Sequence, residues 1–131
     1  GSQGSNEIIP QQNWSMFSSL AFGVTTIHDP SNDTTEIFSA AELQRAGKIV
    51  APRIYSTGTI LYGAEGLGYK AVINSYEDAL FHIQRLKDTG AISVKSYNQP
   101  RRDTRHQVLA AAKTLRNHVV TTGCGKYQPH R

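Results

Sequence analysis

Hydrophobic positions along this chain alternate between the spacing of helices and the spacing of strands. Trp14, Phe17 and Leu20 recur at helical spacing and predict a helix over residues 9–22. The β-branched run GVTTIHD at residues 23–29 then predicts a strand, which the turn-forming sequence Pro-Ser-Asn closes. The alternation continues through a helix at 33–47, a strand at 48–58, a helix at 75–90, a strand at 91–97, a helix at 100–117 and a strand at 118–123.

Residues at the predicted helix boundaries support this division of the chain. Asp33 or Thr34 can cap the second helix, and Ser75 with Asp78 three residues later resembles a capping box. The stretch at 58–74 is rich in glycine and long for a connection without secondary structure. We therefore interpret it as a candidate functional loop.

Strand, helix, strand repeated along a chain is the signature of βαβ units. It predicts an α/β fold with about four strands lying parallel in chain order. An arrangement that opens on a helix and closes on a strand is unusual for a complete doubly wound domain, so we expect part of a longer fold. Residues 9–123 form the predicted domain, with a flexible lead-in at 1–8 and a tail at 124–131.

The composition is that of one ordinary globular domain. The 131 residues are 38% hydrophobic and 18% charged, which separates the chain from disordered proteins. No apolar stretch approaches the ~20 residues of a membrane-spanning helix, and there is no signal-peptide pattern, so we expect a soluble protein without a membrane partner. Cys124 is the single cysteine, which excludes an internal disulfide and a cysteine-based metal cluster.

Charge is distributed unevenly along the chain. Residues 1–94 carry six Lys/Arg and nine Asp/Glu, a net charge of −3, whereas residues 95–131 carry eight Lys/Arg and one Asp, a net charge of +7. A basic end of this kind can attract an anionic partner such as nucleic acid. Only Tyr97 and Tyr127 offer stacking surface nearby, so we favour a solvated basic surface, or one that further sequence covers, over a nucleic-acid site.

Polar residues stand where the predicted strands end, and the carboxyl ends of parallel strands are where functional groups gather. His28 and Asp29 end the first strand, Thr57 ends the second, and Lys95 and Tyr97 end the third. Lys95 interrupts the apolar sequence AISV, and a buried lysine without a partner is costly. It therefore forms an ion pair, extends to solvent or has a chemical role. We expect His28, Thr57 and Lys95 to share one rim.

Three segments resemble a known family. The sequences NWSMFSSLAFGVTTIHDPSNDT at 13–34, GKIVAPRIYSTGTILYGAEG at 47–66 and SVKSYNQPRRDTRHQVLAAAK at 93–113 are similar to the amidohydrolase superfamily. Within it they resemble the bacterial amidohydrolases that are often fused to a TolB-like β-propeller. The resemblance covers residues 6–120 and implies a (β/α)8 barrel of the TIM type, of which this chain holds about four strands. It also implies a parent enzyme that hydrolyses C–N bonds in cyclic amides or small peptides with one or two divalent metals, commonly zinc.

The resemblance gives Lys95 a specific role, because it matches the fourth-strand lysine that is often carboxylated and bridges two metals. An ammonium group cannot ligate a cation, whereas a neutral amine can react with carbon dioxide to give a carbamate that behaves as a bridging carboxylate. A metal pair held in this way lowers the pKa of a bound water and generates a hydroxide nucleophile. His28 is a weaker candidate for a metal ligand, and Tyr97 and Arg53 are candidates for substrate contact in an intact enzyme.

The family's pattern is incomplete in this sequence. The His-x-His pair of the first strand, the ligand histidines of the fifth and sixth strands and the catalytic Asp of the eighth have no counterpart, and residues 121–131 depart from the expected continuation. His118 and His130 are weak substitutes as ligands. We therefore expect a fragment or truncated homologue that binds no metal and is inactive alone. The alternative is a non-catalytic module that self-associates or binds an anionic partner through its basic end; in either case we expect a homo-oligomer, because a partial barrel leaves sheet edges unpaired.

Overall fold

The computed structural model describes residues 11–65, 68–99 and 101–121. Four helices and six strands lie in this part of the chain, and none of the helices described there is long and apolar enough to cross a membrane. The lead-in at 1–8 and the tail at 124–131 lie outside the described residues. In chain order the elements are α1 (Trp14–Ala21), β1 (Thr26–Asp29), α2 (Thr34–Arg45), β2 (Arg53–Ser56), β3 (Ile60–Tyr62), β4 (Lys70–Val72), α3 (Tyr76–Asp88), β5 (Ser93–Ser96), α4 (Arg102–Thr114) and β6 (His118–Thr121).

Side-chain caps determine where two of the helices begin. Asp33 is the cap of α2, because its carboxylate accepts hydrogen bonds from the backbone N–H groups of Thr35 and Glu36. Ser75 and Asp78 form the predicted capping box of α3, in which each side chain accepts from the other residue's backbone N–H. The alternation of polar caps and apolar faces therefore places both helices correctly.

All strand pairings in the described residues are parallel, as predicted. One sheet has two strands in the order β1-β2, and the other has four strands in the order β4-β3-β5-β6. The two sheets are linked in sequence by the three residues 57–59, which join β2 to β3. Of the predicted strand at 48–58, residues 53–56 form β2 and pair with β1, whereas β3 begins beyond that range at Ile60 and pairs with β5.

The predicted loop at 58–74 was only partly right, because it contains β3 and β4. Leu61 of β3 pairs with Ser96 of β5, and residues 60–62 pair with residues 70–72. These strands have three residues each, and β5, the second pairing partner of β3, lies more than 30 residues further along the chain than β3. Glycine-rich local sequence hides such strands, because long-range pairing rather than propensity stabilises them.

Gly58 permits the change of direction between β2 and β3. Its φ of +62° is in the left-handed region, and a Cβ atom there would lie 2.8 Å from Thr34 Oγ1 and 3.1 Å from Leu86 Cδ2. Its backbone N–H donates to Ser56 Oγ at 2.9 Å, and its carbonyl accepts from the N–H of Asn32 at 3.3 Å. Only glycine therefore suits this position, because the backbone is left-handed and there is no space for a Cβ atom.

The hydrophobic core lies between the strands and helices α2, α3 and α4. Leu61, Ile83 and Val94 are completely buried there, together with Val108 of α4. In contrast, α1 buries only Met16, and Trp14 remains 80% exposed. The apolar spacing correctly predicted α1 as a helix, but most of its apolar surface has no covering partner among the described residues.

Candidate active site

Strand alternation gives β1 and β2 one polar surface. In β2, Ile54 faces the core, whereas Arg53 and Tyr55 on the opposite side are exposed. Thr26 pairs with Arg53 and His28 pairs with Tyr55, so these β1 residues lie on the same side. The side of the sheet turned away from the core is therefore polar.

The same alternation holds in β5 and β6. Val94 is part of the core, so Ser93 and Lys95 lie on the other side of β5. His118 pairs with Ser93 and Val120 pairs with Lys95, which places them on that side too. We call this surface the polar face, and its members are Thr26, His28, Arg53, Tyr55, Ser93, Lys95, His118 and Val120.

A hydrogen bond joins the two sheets across the polar face. His28 Nε2 lies 3.1 Å from Ser93 Oγ, although 65 residues separate them in sequence. Ser93 is two residues before Lys95 on the same side of β5, so this contact brings the predicted residues His28 and Lys95 onto one surface. The imidazole lies level with the amino end of β5, however, rather than beside Lys95 at the carboxyl end.

Lys95 is enclosed by the protein without an acidic partner. Only 6% of the residue is exposed, and its Nζ lies 5.5 Å from the centroid of the Tyr97 ring. Within the described ranges it forms no hydrogen bond and no ion pair, and the one ion pair found there joins Arg101 to Asp103. Of the alternatives that the sequence left open for Lys95, an ion pair and extension to solvent therefore do not hold in this part of the chain.

An aromatic pair lies at the carboxyl ends of β3 and β5, and one of its rings, Tyr97, is beside Lys95. The Tyr62 and Tyr97 rings pack edge to face with centroids 5.5 Å apart, and Lys70 Nζ lies 5.2 Å from the first centroid and 5.4 Å from the second. We call Tyr62, Lys70, Lys95 and Tyr97 the tyrosine–lysine cluster. The sequence indicated Lys95 and Tyr97 but missed the other two, because they belong to the strands hidden in the glycine-rich stretch.

Hydrogen bonds to the backbone of β3 hold the Tyr97 segment in place. The Tyr97 N–H donates to the Leu61 carbonyl at 3.2 Å, and Gln99 Nε2 donates to the same carbonyl at 2.9 Å. Gln99 Nε2 also lies 3.2 Å from Ser96 Oγ. The loop after β5 is therefore fixed against β3, which presents the Tyr97 ring to both lysines.

Two of the predicted rim residues have structural roles. Thr57 is fully buried, and its hydroxyl donates to the Pro30 carbonyl at 2.7 Å. Asp29 accepts from the Ser31 N–H and from Asn32 Nδ2, which shapes the turn before α2. These contacts account for polar residues at the ends of β1 and β2 without assigning them to a ligand.

Arg53 lies on the polar face but at the first position of β2, the amino end of the strand. It forms no hydrogen bond or ion pair with His28 or Lys95 in the described structure. Tyr97, the other residue predicted to contact substrate, follows β5 at its carboxyl end beside Lys95. The structure thus places the two candidates at different ends of their strands, and their contact with substrate stays a prediction.

The donors on the polar face do not complete a metal site by themselves. Metal centres with an open position for water commonly use three protein ligands. Within residues 11–65, 68–99 and 101–121, no group of three or more His, Cys, Asp or Glu side chains is arranged to hold a metal ion. Lys95 and His28 are therefore at most a part of a ligand set.

Comparison with known proteins shows the fold but not the family. No family model and no curated protein matches the chain. Its structure is similar to the crystal structure of a Xaa-Pro dipeptidase with methionine bound in the active site, with a TM-score of 0.59 and 17% identity over 91% of this chain and 39% of that one. An uncharacterized protein of known structure matches with a TM-score of 0.63 and 15% identity over 85% of this chain and 36% of that one.

These similarities confirm the predicted fold class, an α/β fold in which parallel strands alternate with helices. The chain spans less than two fifths of the length of either similar structure. It therefore corresponds to one part of a larger α/β structure.

Proposed function

We propose that this chain supplies part of the active-site face of a metal-dependent amidohydrolase that hydrolyses C–N bonds in small peptides or cyclic amides. The observation that carries the proposal is the enclosed Lys95, which lies without an acidic partner on the same face as His28. Similarity to a dipeptidase supports it, because dipeptidases cleave a C–N bond. In this proposal Lys95 ligates metal only in an intact barrel, after carboxylation.

Carboxylation is chemically consistent with the surroundings of Lys95. The neutral amine adds to the carbon of carbon dioxide, an N–C bond forms, one proton leaves, and the product is a carbamate anion. Such an anion requires cations nearby when it is enclosed by protein. Lys70 is one candidate, because its Nζ and the Lys95 Nζ both lie within 5.5 Å of the Tyr97 ring centroid.

We propose further that the isolated chain is not a competent hydrolase. The described residues contribute Lys95 and His28, but no group of three or more His, Cys, Asp or Glu side chains among them is arranged to hold a metal ion. In addition, the similar structures extend well beyond the part that this chain matches. A complete ligand set would come from additional strands of the barrel, and without it no reaction step proceeds on this chain.

A zinc titration followed by NMR of the histidine rings tests the role of the polar face. At millimolar zinc, where incomplete sites begin to fill, we expect the His28 signals to respond before those of His82 and His106, which lie on helices. Bicarbonate should strengthen the response in the wild type but not in Lys95→Ala. Lys48→Ala, which removes an exposed lysine outside the polar face, is the control. An equal response of all rings, or no effect of Lys95→Ala, would contradict the proposal.

A second candidate function is assembly with another copy of the chain. Trp14 and Phe22 at the two ends of α1 are 80% and 87% exposed, and β1 and β6 are edge strands of their sheets. Large exposed aromatic residues and unpaired strand edges both favour association. We therefore propose a homo-oligomer in which α1 of one copy is covered by another.

Light scattering after size-exclusion chromatography tests this candidate. We expect a dimer or larger species at micromolar concentration, and we expect Trp14→Gln combined with Phe22→Gln to shift it toward monomer. Phe81→Gln, which changes a residue 65% exposed on α3, is the matched control and should leave the mass unchanged. A strictly monomeric wild type, or equal masses for all three proteins, would exclude assembly through α1.

The basic surface gives weaker support to an anionic partner. Arg102, Arg105 and Lys113 of α4 are exposed, and so is Arg116 after it. Exposed bases on a helix are usually solvated, and no stacking aromatic residue lies on α4 itself. Nucleic acid therefore remains the disfavoured partner.

A further inference from the structure

The tyrosine–lysine cluster concentrates positive charge in one place. Lys70 Nζ and Lys95 Nζ lie 5.4 and 5.5 Å from the same Tyr97 ring centroid, which limits their separation to about 11 Å. Within the described ranges neither lysine forms an ion pair, and the only partners of their ammonium groups are the rings of Tyr62 and Tyr97. Two like charges gathered without a counterion stabilise neither each other nor the fold.

Burial of the two lysines increases the energetic cost of leaving their charges without a counterion. Lys95 is 6% exposed and Lys70 is partly buried, so solvent screens them less than it screens surface lysines. Contact with an aromatic ring compensates only in part for a desolvated ammonium group. A ligand of opposite charge would therefore be stabilised by this cluster.

We propose that the tyrosine–lysine cluster is a binding site for a small oxyanion, a carboxylate or a phosphate group, held between Lys70 and Lys95. An ammonium group donates three hydrogen bonds and forms strong charge-assisted contacts with oxyanions. The Tyr62 and Tyr97 hydroxyls form no hydrogen bond within the described structure and are additional donors.

The strands hold the residues of the cluster in fixed positions. Tyr97 is fixed through the Leu61 carbonyl, and Lys70 is the first residue of β4, where it pairs with Ile60. Both lysines are therefore attached to strands rather than to flexible connections. A site on strands loses less conformational entropy when it binds than a site on loops does.

This inference is independent of the proposed hydrolase, because it requires neither metal nor carbamate. The two are also distinguishable. Anion binding uses the ammonium form of Lys95, whereas carboxylation would replace that positive charge with a negative one. Carboxylation of Lys95 should weaken oxyanion binding, whereas a chain that is not carboxylated should still bind the oxyanion.

Titration of the purified full chain with acetate and, separately, with phosphate tests the site. The readout is the NMR signals of the lysine side chains and of the Tyr62 and Tyr97 rings, at constant ionic strength set by chloride. We expect saturable shifts confined to the cluster. The titration that gives the lower dissociation constant identifies the preferred oxyanion.

Substitutions then assign the binding to specific residues. Lys70→Gln should raise the dissociation constant about tenfold, the loss expected for one charge-assisted hydrogen bond. Tyr97→Phe should raise it less, and Lys48→Gln, the matched control, should leave it unchanged. Lys95→Met tests whether the second cation contributes to binding. If Lys95→Met does not fold, the affinity of Lys70→Gln alone decides whether the cluster binds the anion. Absence of saturable shifts with both anions, or equal affinity of Lys70→Gln and wild type, would overturn the proposal.

Discussion

Replacement of Gly58 by alanine tests how closely the β2–β3 connection packs against α2 and α3. The residue has φ of +62°, and an added Cβ would lie 2.8 Å from Thr34 Oγ1, 3.1 Å from Leu86 Cδ2 and 3.2 Å from Phe38 Cε2. Thr34 has little freedom to move, because its hydroxyl lies 2.7 Å from Thr59 Oγ1 and accepts from the Thr59 N–H at 3.0 Å. The new methyl group therefore meets side chains that are themselves held in place.

The expected loss of stability has two parts. A left-handed backbone costs a residue with a Cβ about 1–2 kcal/mol relative to glycine. Overpacking of a buried site adds about 1–3 kcal/mol. Gly47→Ala is the matched control, because φ is +70° there but nothing lies within 4 Å of the added Cβ. Gly47→Ala should therefore lose only the backbone part, and the difference between the two variants should be about 1–3 kcal/mol.

Urea denaturation monitored by circular dichroism measures both variants. We expect the midpoint to fall in the order wild type, Gly47→Ala, Gly58→Ala, with similar dependence of the free energy of unfolding on urea concentration. Two variants of equal stability would show that the space around Gly58 is not restricted as described. A Gly58→Ala protein as stable as the wild type would refute both the backbone and the packing arguments.

Two further predictions concern His82 and Thr57. Burial lowers the pKa of His82, the neighbouring Arg85 lowers it further, and Asp78 opposes the shift. The unfolded chain therefore binds a proton at this histidine more readily than the folded chain, so stability falls as pH drops below about 6.5, the ordinary histidine pKa. Between pH 7.5 and 5.5 the unfolding temperature of His82→Gln should decrease less than that of the wild type. An equal decrease in both proteins would contradict this. Thr57→Val should cost about 1–2 kcal/mol in urea denaturation, because the Pro30 carbonyl loses its donor, whereas Thr57→Ser should retain most of the stability.

Much of the fold was predictable because its signals are local. The caps at Asp33 and Ser75, the helical spacing of apolar residues and the β-branched runs each depend on neighbouring residues alone. Parallel pairing followed from the alternation of strands and helices. The strand β3 was not predictable in this way, since it depends on the change of direction at Gly58 and on pairing with the distant β5.

The candidate site shows the same distinction. Lys95 was identifiable because a charge inside an apolar strand contradicts its local surroundings. Lys70 and Tyr62 give no such signal, since a lysine and a tyrosine in a glycine-rich stretch are ordinary surface residues. Their importance arises only when β3 and β4 bring them beside Tyr97. The bond between His28 and Ser93 likewise depends on the packing of two sheets.

The exposed residues of α1 show that hydrophobic periodicity does not predict burial. Apolar spacing in Trp14 and Phe17 indicated a helix, and the helix forms, but 80% and 48% of these residues stay exposed. Periodicity identifies the type of an element, whereas burial requires a partner surface. The missing partner is consistent with a chain that matches only part of the structures similar to it.

We propose that this chain carries part of a metal-dependent active site and is not a hydrolase alone. Metal content and turnover of the purified chain, after incubation with zinc and bicarbonate, test it most directly with Xaa-Pro dipeptides and cyclic amides as substrates. We expect no tightly bound metal pair and no hydrolysis above the uncatalysed rate, for both the wild type and Lys95→Ala. Two metals per chain, with turnover that Lys95→Ala abolishes, would contradict it and show that the chain completes its own ligand set.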